Sequence, residues 1–221
     1  MIVLQVPNVP RDVQLLSAWL EIPSLPSLIS RFLYAYEHHP DLDVPLDDIP
    51  INQCPKFSDK VYLYPSAVAT YYAPSDISGV GGMIRERIRS TRRWLNGPAR
   101  QDCVYVEHDT KPAGFRGMYV AQVSAFIKFT YNRTVFPCAV VKWFSAVGDT
   151  PCPDTGMWIV QRDSHQHDLI HLDTIVCAAH LIGIAGQTMI PREFGPSDSL
   201  DAFKTFYVNK YVDYHAHEIA F

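Results

Sequence analysis

Two long runs, MYVAQVSAFIKFTY (118–131) and TVFPCAVVKWFSAV (134–147), follow each other with only Asn132 and Arg133 between them. Alternation sustained over a dozen residues fits a strand, and a two-residue connection admits only a tight hairpin turn. In the first run Tyr119, Ala121, Val123, Ala125, Ile127, Phe129 and Tyr131 fall on one face. Val120, Gln122, Ser124, Phe126, Lys128 and Thr130 fall on the other, so one face is strongly apolar. Pro137 cannot donate to a ladder, which predicts a bulge or an edge position there. CVYVE (103–107), MWIVQ (157–161) and DLIHLDTIV (168–176) read as further strands. Strands at such short spacing, curved by bulges, point to a small antiparallel barrel.

The segments on either side read as helix. SLPSLISRFLYAYEHH spaces Leu28, Phe32 and Tyr36 four apart, with Ile29 and Leu33 alongside, Ser24 or Ser27 as cap and Pro40 as terminator. PDLDVPLDDIPINQCP is an acidic, proline-rich connector. DKVYLY is a short strand, SAVATYYA a short helix capped by Ser66, and PSDISGVGG a glycine-rich turn. MIRERIRSTRRWL then reads as a basic helix with Ile84, Ile88 and Leu95 on its apolar stripe. Residues 197–221 read as a C-terminal helix with Leu200, Phe203, Tyr207, Tyr211 and Tyr214 on one side. Its aromatic runs and Val208 also allow a strand ending. The fold class expected is therefore α+β: a small curved antiparallel β-barrel with N-terminal helices and a C-terminal helix. Residues 1–100 would form a helical arm, with the acidic connector and the basic helix, and residues 101–221 the barrel domain.

Charge sharpens the functional reading. The whole chain carries −4, yet residues 83–100 hold six arginines and one glutamate, a local +5. Residues 37–50 hold five acids and no lysine or arginine. A basic patch beside a glycine-rich turn predicts backbone contacts to nucleic acid through Arg85, Arg87, Arg89, Arg92 and Arg93. Pairing of those arginines with the acidic connector is the competing structural role. Trp143, Phe144 and Trp158 are candidates to line a partner-binding groove, although core packing is the simpler explanation for them.

The metal and catalytic readings are weaker. SHQHDLIHLD places His165, His167, Asp168, His171 and Asp173 within ten residues. A zinc site needs three or four converging ligands. One strand face offers only the pair His171 and Asp173, so a hydrogen-bonded core histidine is expected instead of a metal ligand. His215 and His217 lie two apart and diverge on a helix. Cys152 with His180, and Asp149 with Asp154, are the remaining pairs, and no recognised nucleophile or nucleotide-loop motif accompanies them. No catalytic residue, metal or cofactor is expected. Five well-separated cysteines without a C-x-x-C pair read as reduced thiols of an intracellular protein. No apolar run approaches the ~20 residues of a membrane-spanning helix.

SAVATYYAPSDISGVGGMIRERIRS, FPCAVVKWFSAVGDTPCPDTGMWIV, IHLDTIVCAAHLIGIAG and SLDAFKTFYVNKYVDYHAHEIAF resemble the C-terminal region of Plavaka-type transposases. These are cut-and-paste elements of the CACTA-like group, abundant in mushroom-forming fungi, and the resemblance runs over roughly residues 28–221. It implies that the chemistry belongs to a ribonuclease-H-like domain with an acidic triad, upstream of this region and absent from this chain. It therefore implies a non-catalytic accessory role in the nucleus. DNA, a chromatin protein or the transposase catalytic domain would be the partner. The strand order is also similar to bromo-adjacent-homology and SH3-like barrels, which read chromatin proteins or stabilise assemblies. Neither resemblance assigns a role to any individual residue. A metal-dependent hydrolase using the histidines is the remaining alternative.

Overall fold

The two alternating runs pair as an antiparallel hairpin, from Tyr131 opposite Thr134 to Val120 opposite Phe144. Asn132 and Arg133 turn it with φ of 48° and 66°, the left-handed pair required by the two-residue turn that matches strand twist. The computed structural model describes residues 5–38, 48–73, 79–107, 117–163, 166–186, 193–195 and 198–220. The acidic stretch 39–47, residues 74–78 of the glycine-rich turn, His165 and Ser197 therefore lie outside the described residues.

In chain order the elements are α1 (Val13–Leu20), α2 (Leu25–His38), β1 (Tyr62–Tyr64), β2 (Ser66–Tyr72), β3 (Met83–Thr91) and β4 (Arg100–Gln101). There follow β5 (Cys103–Glu107), β6 (Met118–Tyr131), β7 (Thr134–Ala146), β8 (Ile159–Arg162) and β9 (Asp168–His171). The chain ends with β10 (Ile175–Ala179), β11 (Leu181–Gly183), α3 (Ser199–Ala202), β12 (Thr205–Val208) and α4 (Tyr214–Ala220). The main sheet runs β10-β5-β6-β7-β8-β12-β11. Its two outermost strands, β10 and β11, are separated in sequence by His180 alone, so the sheet must curl until its ends meet. The result is a mixed α+β protein built on a nearly closed antiparallel barrel.

The long hairpin serves two cores. Its lower half pairs with β5 and β8, while its upper half pairs with β1 and β9. Tyr105, Val120, Phe144, Trp158, Val160, Phe206 and Val208 fill the barrel. Ile127, Phe129, Phe136, Cys138 and Val140 pack under α1 and α2, against Leu16, Leu25, Ile29 and Leu33. α1 starts where the Asp12 carboxylate accepts from the amides of Gln14 and Leu15.

A β-bulge at Ser124 joins the two halves. The register jumps from Val123 opposite Val141 to Ala125 opposite Val140, leaving Ser124 as the extra residue. The bulge inverts side-chain parity, so uninterrupted alternation from 119 to 131 fails. Val120 and Gln122 share a face with Ala125, Ile127 and Phe129, whereas Ala121 and Val123 share theirs with Phe126. Pro137 sits where the ladder tolerates it. Counting alternately from the turn, Lys128 opposite Pro137 is a pair without hydrogen bonds, and the β9 ladder ends at Cys138.

Four local expectations are corrected. SAVATYYA is the strand β2, because Val68, Thr70, Tyr71 and Tyr72 are strand formers and the segment has β3 to pair with. The basic helix is the strand β3. Ile84 and Ile88 lie four apart, a spacing that shares a face in a strand as well as in a helix. The C-terminal segment is not one helix: α3 and α4 flank β12, whose Phe206 and Val208 are wholly buried in the barrel. DLIHLDTIV is two strands, broken by a 3-10 turn at Leu172–Thr174.

Candidate nucleic-acid interface

β2 and β3 form a two-stranded ribbon in the register Ser66–Arg89, Val68–Arg87 and Thr70–Arg85. Alternation sends Arg85, Arg87 and Arg89 to the outer face of β3 and Ile84, Glu86, Ile88 and Ser90 inward. Arg85 and Arg87 are exposed and Arg89 is partly covered. Ile88 is buried against Val104, Ala121 and Val123 on the outside of the barrel, which anchors the ribbon. The Glu86 carboxylate accepts a 2.8 Å hydrogen bond from the amide of Ala178 on β10. The only acid of the strand is thus held away from its arginines.

The five predicted arginines divide by environment. Arg89 lies over the Trp94 ring at 4.6 Å, and Arg100 approaches the same ring at 5.4 Å. Arg100 is also ion-paired to Asp102 at 2.7 Å. Arg92 has turned to α1: it donates to the Trp19 carbonyl at 2.6 Å and to Glu21 at 2.8 Å, with its guanidinium 4.7 Å over the Trp19 ring. Arg93 is exposed just past the strand. Among the described residues Arg85, Arg87 and Arg93 make no ion pair. Pairing with the acidic connector falls outside the described residues, apart from the exposed Asp48.

The aromatic groove does not assemble. Phe144 and Trp158 point into the barrel core, 2% and 9% exposed. Trp143, the next residue on β7, faces the opposite side, where it donates to Asp168 at 3.0 Å and meets Tyr119 edge-on. Adjacent strand residues cannot line one surface.

The histidines are likewise dispersed. His171 caps the turn after β9, its Nδ1 accepting from the Asp173 amide at 3.3 Å, in place of the shared strand face expected for this pair. His167 lies near Lys142, and burial followed by the Lys142 charge lowers its pKa to about 4. His215 is buried and stacked on Tyr71 at 4.2 Å. His180 is 3.0 Å from Asn209, while Cys152 neighbours Tyr207, so those two have different partners. Hydrogen bonds from Thr155 and nearby amides lower the Cys152 pKa, whereas burial pushes Cys103 and Cys177 up to about 12. Among the described residues no group of three or more His, Cys, Asp or Glu is placed to hold a metal ion. No described helix is long and apolar enough to cross a membrane.

Sequence reasoning missed a polar seam on the inner face of the long hairpin. Gln122 and Lys142 stand opposite one another between the two apolar cores, and Arg162 donates to Gln122 at 3.1 Å. The available signal was two long polar side chains inside otherwise apolar strands. Unbroken alternation assigned Gln122 and Ser124 to the more polar face.

No protein-family profile, curated protein or solved structure matches this chain.

Proposed function

We propose that this chain is a non-catalytic, transposase-derived accessory module that grips a nucleic-acid backbone with the outer face of the β2–β3 ribbon. The observation that carries the reading is the segregation of charge on β3: Arg85, Arg87 and Arg89 outward, Glu86 inward and bonded to Ala178. Alternate strand residues lie ~6.8 Å apart, about twice the ~3.4 Å rise per phosphate along one DNA strand. Arginines repeated at that spacing present a line of positive charge that a phosphate backbone can follow. A two-stranded ribbon is also narrow enough for the major groove, and the guanidinium fork suits phosphate oxygens. Val68 and Thr70, across from Arg87 and Arg85, add little capacity to read bases, so the contact is general in sequence. The resemblance to transposase C-terminal regions supplies the setting: a nuclear protein working beside the catalytic domain or a chromatin protein.

Fluorescence anisotropy of labelled duplexes tests this. Replacing Arg85, Arg87 and Arg89 together by Gln should weaken binding at least about tenfold, equally for unrelated sequences. Unchanged affinity in a variant with an unchanged circular dichroism spectrum contradicts the reading.

A further inference from the structure

The polar seam opens into a cavity of about 440 Å³ between the C-terminal end of α1 and the β6–β7 hairpin. That volume lies within the range of small-molecule sites. We infer that this cavity binds a phosphate monoester, held by Arg93, Lys142 and His167. The site does not depend on the outer face of the ribbon.

The lining carries three cations, Arg92, Arg93 and Lys142, against one carboxylate, Glu21. Arg92 and Glu21 are bonded to each other, leaving Arg93 and Lys142 with no ion pair among the described residues. Lys142 is partly buried, and both burial and the neighbouring Arg162 charge lower its pKa. An unpaired, partly desolvated ammonium is costly, and an anion in the cavity offsets that cost. His167 is neutral at pH 7, so its ring offers an N–H donor. Two cations and a neutral donor match a dianion with three terminal oxygens. A carboxylate, with one charge and two oxygens, leaves a cation unmatched.

Isothermal titration calorimetry on the full chain, with inorganic phosphate, adenosine 5′-monophosphate and adenosine as probes, decides the matter. Phosphate and the monophosphate should bind saturably and adenosine should not. Lys142→Met should weaken the monophosphate about tenfold or more. Arg93→Gln, an exposed position that leaves the seam intact, should do the same, whereas Lys204→Gln, an exposed cation outside the cavity lining, should leave binding unchanged. A single-stranded oligonucleotide with and without a 5′-phosphate separates the two sources. Tighter binding of the phosphorylated strand supports a strand end as the ligand, and equal binding of the two supports a free nucleotide. Absence of phosphate and monophosphate binding overturns the inference. So does binding that persists unchanged in Lys142→Met and Arg93→Gln.

Discussion

Single residues here differ more by the direction they face than by type. Phe144 and Trp143 are neighbours, yet one is sealed in the barrel and edge-on to Phe206 at 5.7 Å, while the other bonds Asp168 on the outside. Phe144→Ala should therefore cost about 3–5 kcal/mol in chemical denaturation, from lost transfer energy and the cavity left behind. Arg87→Gln, on the exposed ribbon face, should stay within about 0.5 kcal/mol. His167 makes a pH-dependent contribution. The unfolded chain takes up this proton near pH 6.5, but the folded chain does so only near 4, because burial and Lys142 oppose the charge. Between those values the unfolded state binds more protons, so stability falls as pH is lowered from 6.5 towards 4. His167→Gln should flatten that part of the stability profile relative to the parent, measured as denaturant midpoint against pH. A parallel decline in both proteins would contradict the assignment.

At the scale of elements, the bulge matters as much as the strands it interrupts. Deleting Ser124 would restore unbroken alternation and turn Val120 and Gln122 out of the faces they now occupy. The deletion should abolish cooperative unfolding, whereas Ser124→Ala should keep it; thermal melts followed by circular dichroism distinguish the two. The hairpin, its turn and α2 were legible in the sequence because period, turn length and apolar spacing agreed there. The bulge was not, since nothing in VAQVSAF marks which residue is extra. The basic segment misled for a related reason. Arg85 and Arg89, four apart, suit helix and strand alike, and only Arg87 between them separates the two, favouring the strand by alternation. β12 was hidden because Thr205–Val208 becomes a strand through pairing with β8 and β11, contacts remote in sequence. For the candidate site, the arginines were legible as residues and their presentation was not. The seam was legible only as polar letters in apolar strands, because the bulge decides which face they take.

Across the whole molecule, charge is sorted by surface. A chain with net charge −4 carries its densest positive segment on a ribbon anchored outside the barrel by Ile88. Net charge is therefore a poor guide to its partners, and the local field at the ribbon is what an approaching polyanion meets. The most direct measurement is the salt dependence of duplex-DNA binding for the parent and the Arg85/Arg87/Arg89→Gln variant. Each phosphate neutralised contributes about −0.9 to the log–log slope, so removing three contacts should make the slope shallower by about 2.7. A parent with a flat salt dependence, or a variant with the parent's slope, would contradict the ribbon as the nucleic-acid interface.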